Sequence, residues 1–364
     1  MSEGKKLDVH PDVKKASTIP SAFYTDEQIF SQSKEAIFAN SWQYVGPTSL
    51  VKVPGSTHPF VLLEGCLDEP LLLTRDRKDV IHCLSNVCTH RGNLVCEGIG
   101  TANSLRCRYH GRKFGLDGSF QSMPEFEGVE GFPSAEDNLP KIRFDSWRQL
   151  LFATVGKVDF TLDDYLQDVA ERVGWLPIDQ FQFAPERARE YLVNAHWALY
   201  VDNYLEGFHI PYIHADLNAT LDYSQYRTEL ITHGNLQLGV AGDGEDCFDL
   251  PPESPDYGQR IGAYYYWLFP NLMLNFYPWG LSINVVKPLS HRKTKVIFLP
   301  FVWREDRLQD GAGANLDRVE REDEAVVEMT QVGVRSRFYD RGRYSPEREL
   351  GVHQFHRMIA EALK

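Results

Sequence analysis

Cysteine is scarce in this chain, 6 of 364 residues, and the six are too unevenly spaced to read as a disulfide framework. Basic residues are outnumbered, 38 Lys and Arg against 51 Asp and Glu, giving a formal charge of −13. A chain so balanced lacks the basic footprint of a general nucleic-acid binder. No internal repeat and no low-complexity tract is present. The opening residues MSEGKKLDVHPDVKKAST lead into no apolar run, so no secretory signal is expected, and their acids and lack of arginine do not suit an organelle transit peptide. Tyr264 to Val286 is the most apolar stretch, but Pro270, Asn271, Asn275, Pro278 and Gly280 cut it into short pieces. That pattern predicts two buried strands joined by a turn, not a membrane span. Cytoplasm is the expected compartment, and unpaired cysteines suit its reducing chemistry.

What the chain does have is Cys88-Thr89-His90 and, after 16 intervening residues, Cys107-Arg108-Tyr109-His110. Order and spacing are those of a Rieske [2Fe–2S] centre, in which two thiolates hold one iron and two imidazoles the other. Structural zinc prefers C-x2-C pairs joined to a second such pair or to H-x3-5-H, and C-x-H with C-x2-H matches neither. Gly92 and Gly111 follow the two halves, as tight turns around a small cluster require. The remaining cysteines, Cys66, Cys83, Cys96 and Cys247, show no pattern and read as reduced core or surface thiols. Neutral imidazoles raise a cluster's potential, which suits it to passing single electrons onward.

The length allows two domains with cores of their own. Residues 1–41 read as a helical arm packing on the second domain, with a helix from Thr25 to Asn40 that Thr25 could cap. Residues 42–156 form short β-rich runs, Gln43 to Val45, His58 to Leu63, Pro70 to Arg75 and Val80 to Leu84, interrupted by the two Cys/His loops. Gly115, Asp117 and Gly118 mark a hairpin, and Pro124 to Asn138 a surface loop. Residues 157–364 alternate strands with helices at Leu316 to Phe338 and from Pro346 to the end. The fold class is α+β, a small antiparallel-β domain followed by an antiparallel sheet with long C-terminal helices that enclose a cavity.

A one-electron donor needs an acceptor, and the second domain offers His209 and His214. Two histidines and a carboxylate on one face of Fe(II) leave positions open for oxygen and substrate. Five residues along a regular helix would set the two roughly 140° apart, but Pro211 breaks the regularity between them. Two unrelated surface histidines are the alternative.

At this point the chain resembles the Rieske non-haem iron oxygenase α subunits over nearly its whole length. The resemblance rests on C-x-H-R-G, C-x-Y-H-G and N-x7-D-N-Y-x-E-x2-H-x4-H. It implies a Rieske domain with Cys88, His90, Cys107 and His110 on the cluster, and a helix-grip catalytic domain with His209 and His214 on iron. It implies a late-helix aspartate as third iron ligand, matched by Asp323 with Gln331 and Gly333 behind it, and with Glu322 and Glu324 as rivals. Asn203 and Glu206 fall among the catalytic positions. The family's bridging carboxylate, which links an iron histidine to a cluster histidine of the neighbouring subunit, corresponds to Glu206, with His110 as its cluster partner. Many relatives have aspartate there, and the glutamate resembles the carnitine and betaine oxygenases. Such a bridge implies a homotrimer, closed head to tail. The cofactors implied are one [2Fe–2S] cluster and one Fe(II) per chain, with O2 as co-substrate. Electrons from NAD(P)H must come through a separate reductase of flavin or ferredoxin type, since the chain carries no flavin or nicotinamide fingerprint and no second iron–sulfur motif.

Within the family, DNYLEGFHIPYIH, LDYSQYRTEL and PNLMLNFYPWGLSINVVKPL are similar to the choline monooxygenase branch, which implies a quaternary ammonium or betaine-like substrate. Such cations bind over aromatic faces. The candidates are Tyr204, Phe208, Tyr212, Tyr264, Tyr266, Trp267, Phe276, Tyr277 and Trp279, of which alternation lets about half of the strand residues face a cavity. A small aromatic acid is the alternative substrate. A stand-alone electron carrier or a metal-free ligand-binding protein are alternatives of another class. Arg91, Arg106, Arg108, Arg112 and Lys113 crowd the cluster loops, a basic collar that could steer an acidic reductase or simply balance the cluster.

Overall fold

The computed structural model describes residues 7–314 and 316–364. It divides into two compact units, Trp42–Leu162 and a second made of Met1–Ser41 with Asp163–Lys364. Among the described residues no helix is long and apolar enough to cross a membrane.

The first unit is built of short antiparallel strands. Ile81–Ser85, Glu69–Arg75, Ser56–Leu62 and Gly100–Thr101 form one sheet, Gln43–Pro47, Leu150–Thr154 and Arg143–Trp147 a second, and Leu105–Arg106, Lys113–Phe114 and Phe120–Ser122 a third. The two Cys/His loops hang between strands of the first and third sheets. Their cysteines close an apolar cluster with Leu72, Leu84, Val95, Leu105, Phe114 and Leu139.

The second unit wraps an eight-stranded antiparallel sheet around helices. Its strands are β1 (Gln182–Phe183), β2 (Arg189–Val193), β3 (Arg227–Ile231), β4 (Gly234–Val240), β5 (Ile261–Leu268), β6 (Leu272–Tyr277), β7 (Gly280–Ser290) and β8 (Lys293–Val302). They run in the order β1-β8-β7-β6-β5-β4-β3, with β2 also paired to β8. The apolar stretch from Tyr264 to Val286 holds parts of three strands, β5, β6 and β7, where two were expected, because Pro270-Asn271 and Pro278-Trp279 each make a turn. Every residue of β4 and β6 is buried, because helices cover both faces of the central sheet. On one face lies α1 (Leu162–Val173), whose Arg172 pairs with Asp256 at 2.6 Å and Glu229 at 3.0 Å. On the other lie α2 (Trp197–Tyr204), α3 (Leu316–Gly333) and α4 (Leu350–Ala362).

The N-terminal segment supports α2. Phe38 packs edge-on to Trp197 at 4.9 Å, and the Tyr24 hydroxyl donates to Asp202 at 2.7 Å. Three predicted helix limits shift. The arm helix is Glu27–Ser33 followed by a wider π turn, Lys34–Ala39; its cap is Asp26, which accepts from the Gln28 and Ile29 N–H groups, while Thr25 ends a preceding turn. α3 stops at Gly333, where the chain turns as Ser336 N–H bonds the Gly333 carbonyl. α4 begins at Leu350, since Ser345 N–H bonds the Glu349 side chain and holds the segment around Pro346 as a turn.

Candidate active site

The two Cys/His loops are copies of one backbone design. Cys88 N–H donates to the Asn93 carbonyl and Gly92 N–H to the Cys88 carbonyl, at 2.8 and 3.0 Å; Cys107 with Arg112 and Gly111 repeats this at 2.9 and 3.0 Å. The fourth residue after each cysteine must turn left-handed, and Gly92 (φ +72°) and Gly111 (φ +80°) do so without strain. The Cys88 and Cys107 thiols are 3% and 2% exposed and within hydrogen-bonding reach of each other. Backbone N–H groups of His90 on one side, and of Tyr109 and His110 on the other, point at the sulfurs. The His90 and His110 rings lie 4.8 Å apart. Burial and the neighbouring His110 and Arg112 lower the His90 pKa, favouring the neutral ring that a metal takes. Paired thiols with sulfur-directed donors on one side, and paired imidazoles on the other, fit a two-iron cluster.

The proposed basic collar is smaller than its sequence suggests. Arg112 is 2% exposed, paired with Asp137 and ringed by Phe114, Phe120 and Phe132 at 5.8, 5.0 and 5.5 Å. It is a structural cation and cannot meet a partner. Arg91, Arg106 and Arg108 are exposed and Lys113 half-buried.

In the second unit, α2 ends at Tyr204 and the chain runs through Glu206 and Gly207 to His209. A short helix, Ile210–Ile213, separates His209 from His214, and the chain re-enters helix at Ala215. This break swings both rings to one side, with centroids 5.1 Å apart. A Cβ at Gly207 would come within 2.5 Å of the Tyr226 ring, so the approach of this loop to Tyr226, just before β3, depends on glycine.

Across from them, α3 presents Asp323. Its Oδ1 is 3.0 Å from His214 Nε2 and 3.5 Å from His209 Nε2, and the ligand atoms of His209, His214 and Asp323 all lie within 4.8 Å of one another. The outer nitrogens are taken. His209 Nδ1 is 2.7 Å from Glu206 Oε1, and Glu206 Oε2 accepts from the His209 backbone N–H at 3.0 Å. His214 Nδ1 is 2.8 Å from Glu322 Oε2. Glu322, a rival ligand by sequence, thus sits behind a histidine, and Glu324 is turned towards Arg321. Carboxylates on both outer nitrogens orient the rings and make them more basic towards whatever lies at Nε2. Burial disfavours a charged His214, yet Asp323 and Glu322 outweigh it and raise its pKa. The trio therefore favours a positive charge where its donors converge, and two imidazoles with one carboxylate fit Fe(II).

A cavity opens on this trio. Four tyrosines, Tyr204, Tyr226, Tyr265 and Tyr277, are among its lining, with Tyr265 and Tyr277 edge to face at 5.8 Å. Tyr204 donates to Asn275 at 2.5 Å, and Tyr226 to Gln237 at 3.2 Å. Asn203, Glu206, Tyr200 and Glu320 complete it on the helix side. Of the nine aromatic candidates only Tyr204 and Tyr277 line the cavity. Tyr264, Tyr266 and Phe276 point to the opposite face of the sheet, where the Tyr264 hydroxyl donates to Asp256 at 2.9 Å and Tyr266 meets Phe276 at 6.2 Å. Trp267 shares the cavity's side of the sheet but packs on Phe355 at 5.0 Å. Trp279 backs Tyr277, stacked at 5.2 Å, and Phe208 and Tyr212 are 41% and 79% exposed. Sequence reasoning missed Tyr226, Tyr265, Tyr200 and Glu320. Tyr265 shares strand phase with Asn275, its partner across β5 and β6, and Glu320 precedes Asp323 by one helical turn.

Comparison with known proteins now decides the family. A model of the ring-hydroxylating α subunit catalytic domain matches residues 181–364, and one of the Rieske [2Fe–2S] domain matches residues 41–133. The chain belongs to the Rieske ring-hydroxylating oxygenase α subunits. It is 31% identical to a chloroplastic choline monooxygenase of Arabidopsis thaliana, over 97% of this chain and 84% of that protein. It is 28% identical to a carnitine monooxygenase oxygenase subunit of Acinetobacter baumannii, over 97% and 96%. A crystal structure of the quaternary ammonium Rieske monooxygenase CntA superposes with TM-score 0.79 at 25% identity, covering 98% of this chain and 97% of that one. Naphthalene 1,2-dioxygenase, at 20% identity and TM-score 0.73 over 95% and 92%, shares the fold. As a Rieske oxygenase the protein is an oxidoreductase that works with a [2Fe–2S] cluster, non-haem iron and O2. It acts on a small molecule and draws on a separate reductase.

Proposed function

We propose that this Rieske oxygenase hydroxylates a quaternary ammonium compound at a carbon next to or near nitrogen. One oxygen atom of O2 enters a C–H bond and the other leaves as water, with two electrons delivered through the reductase and two protons taken from solvent. An N-methyl carbon so hydroxylated breaks from nitrogen as formaldehyde; a carbinol carbon becomes an aldehyde hydrate. The observation that carries this reading is that four tyrosines line one cavity with His209, His214 and Asp323, since aromatic faces attract a cation that brings no hydrogen-bond donors. The relatives at 31% and 28% identity that act on choline and carnitine support it.

In this reading His209, His214 and Asp323 hold Fe(II), while Cys88 and Cys107 hold one cluster iron and His90 and His110 the other. The bound metals supply oxygen activation and one-electron transfer. Glu206 fixes the His209 ring through Nδ1, and in a homotrimer its carboxylate would also face the partner subunit's His110. Asn203 and the tyrosines position the substrate. The compartment proposed is the cytoplasm, in keeping with free cysteines.

Iron content and oxygen uptake test the assignment together. About three irons per chain are expected, and about two in His209→Ala, with cluster colour kept and turnover lost. With a generic reductase, choline, a betaine or carnitine should drive oxygen uptake coupled to product. Turnover of small aromatic acids alone, or hydroxylation persisting in His209→Ala, would overturn it.

A further inference from the structure

Three carboxylates line the cavity, and two are committed: Glu206 to His209 and Asp323 to both histidines. The third, Glu320, is not. It is 3% exposed, its Oε2 accepts from the Tyr200 hydroxyl at 2.6 Å, and its Oε1 is buried with no hydrogen-bond partner. Leaving a buried carboxyl oxygen unpaired is costly unless something that enters the site pairs with it. Burial, opposed by the Tyr200 hydroxyl and reinforced by the nearby Asp323 and Glu324, pushes the Glu320 carboxyl well above the usual carboxylate range, so its charged form needs a cation beside it. A cation entering beside the unpaired Oε1 would restore that charged form.

The rest of the lining points the same way. Among the described residues lining the cavity there is no lysine and no arginine. An adjoining cleft shares Leu217, Ala312 and Val319 with the cavity, and carries six carboxylates against two arginines. Such a surface concentrates cations. Away from the histidine trio, a substrate carboxylate would find amide and hydroxyl groups but no lysine or arginine to pair with.

We propose that Glu320, positioned by Tyr200, is the counter-ion for the substrate's cationic head, and that the cavity selects quaternary ammonium compounds with an uncharged far end over those bearing a carboxylate. This rests on the quaternary ammonium reading of the same cavity. Charge attraction to a buried carboxylate and stacking on tyrosine act on one end of the ligand. Asn203 and Asn275 are left for a neutral polar group at the other end.

The test compares choline with its uncharged carbon isostere, 3,3-dimethylbutan-1-ol, and with L-carnitine. Dissociation constants are read by calorimetry on the cluster-containing oxygenase, and kcat and KM with reductase. Wild type should bind choline at least tenfold more tightly than the isostere, and more tightly than carnitine. Glu320→Gln should bring the choline-to-isostere ratio close to one through loss of choline affinity, with the isostere's constant unchanged. Glu320→Asp should restore part of the ratio, and unchanged isostere binding reports that the variants are folded. A merely structural role would weaken both ligands together. An unaltered ratio in Glu320→Gln, or carnitine bound as tightly as choline by wild type, overturns this proposal while leaving the function standing. If wild type neither binds nor oxidises any quaternary ammonium compound, the functional reading itself falls.

Discussion

Glu322 separates a metal ligand from a residue acting through a ligand. Replacing it by alanine strips the acceptor from His214 Nδ1, 2.8 Å away, while leaving the donor atoms of His209, His214 and Asp323 in place. Loss of a carboxylate behind a ligand histidine costs about 10–100-fold in metal affinity, or about 1.4–2.7 kcal/mol. Two observations set where in that range this variant falls. The His214 side chain is 1% exposed, so water replaces the acceptor poorly; but the Glu322 side chain is 29% exposed and shared with Arg318 at 3.2 Å, so part of its charge is already neutralised. The lower half is expected, roughly 10–30-fold. Glu322→Gln keeps an oxygen acceptor and loses only the charge, and should cost less. The assay is competitive titration of protein stripped of mononuclear iron, with Fe(II) or Co(II) against a chelator, and with cluster absorption as the control for folding. Affinity equal to wild type in Glu322→Ala would refute the coupling. Loss as complete as in Asp323→Ala would make Glu322 a ligand.

His196 predicts an acid limit. It is buried, accepts from Ala198 N–H through Nδ1 at 3.3 Å, and burial, with His291 adding, pushes its pKa from 6.5 down to about 3. The unfolded chain therefore takes up a proton first as pH falls: the effect is nil above pH 6.5 and grows between 6.5 and about 3, by at most about 1.4 kcal/mol per pH unit. His196→Asn keeps a capping acceptor, so urea denaturation of the iron-free protein should show wild type losing stability relative to the variant only below pH 6.5; parallel curves would contradict this. Arg108, 78% exposed and paired with Glu97 at 2.8 Å, remains a docking candidate. Arg108→Glu should slow cluster reduction several-fold at low salt and flatten its salt dependence, and unchanged stopped-flow rates would remove Arg108 from the docking surface.

How much of the site is legible in sequence depends on how local its geometry is. Each Cys/His loop is closed by hydrogen bonds spanning only five residues, as from Cys88 to Asn93, so spacing alone carries the pattern. His209 and His214 are likewise set by a short break at Pro211. The tyrosine lining is different. Alternation sorts Tyr264 and Tyr266 from Tyr265 and Trp267, but which set meets the cavity depends on which face α1 covers, and that rests on contacts distant in sequence, such as the Arg172–Asp256 pair, residues 84 positions apart. Arg112 fails for the same reason: beside the cluster loop it reads as surface charge, while its partner Asp137 lies 25 residues on.

The acid-rich stretch of α3 shows the limit most sharply. Read as composition, Glu320, Glu322, Asp323 and Glu324 form a solvated face. In the fold, Glu320 is buried against Tyr200, the Glu322 side chain 29% exposed against His214, and the Asp323 side chain 16% exposed between two imidazoles. Helical periodicity explains how one turn serves three tasks. Residues three apart share a face, so Glu320 and Asp323 both line the cavity, Asp323 beside the two imidazoles. Glu322, about 100° away, passes behind His214 to its outer nitrogen. The outer side of the same turn belongs to Arg318 and Arg321, with side chains 61% and 64% exposed. A helix whose charged face is its inner face is stable only if each acid finds an imidazole, a phenol or a cation to meet it. Glu320 Oε1, still unpaired, is where the substrate's charge completes that condition.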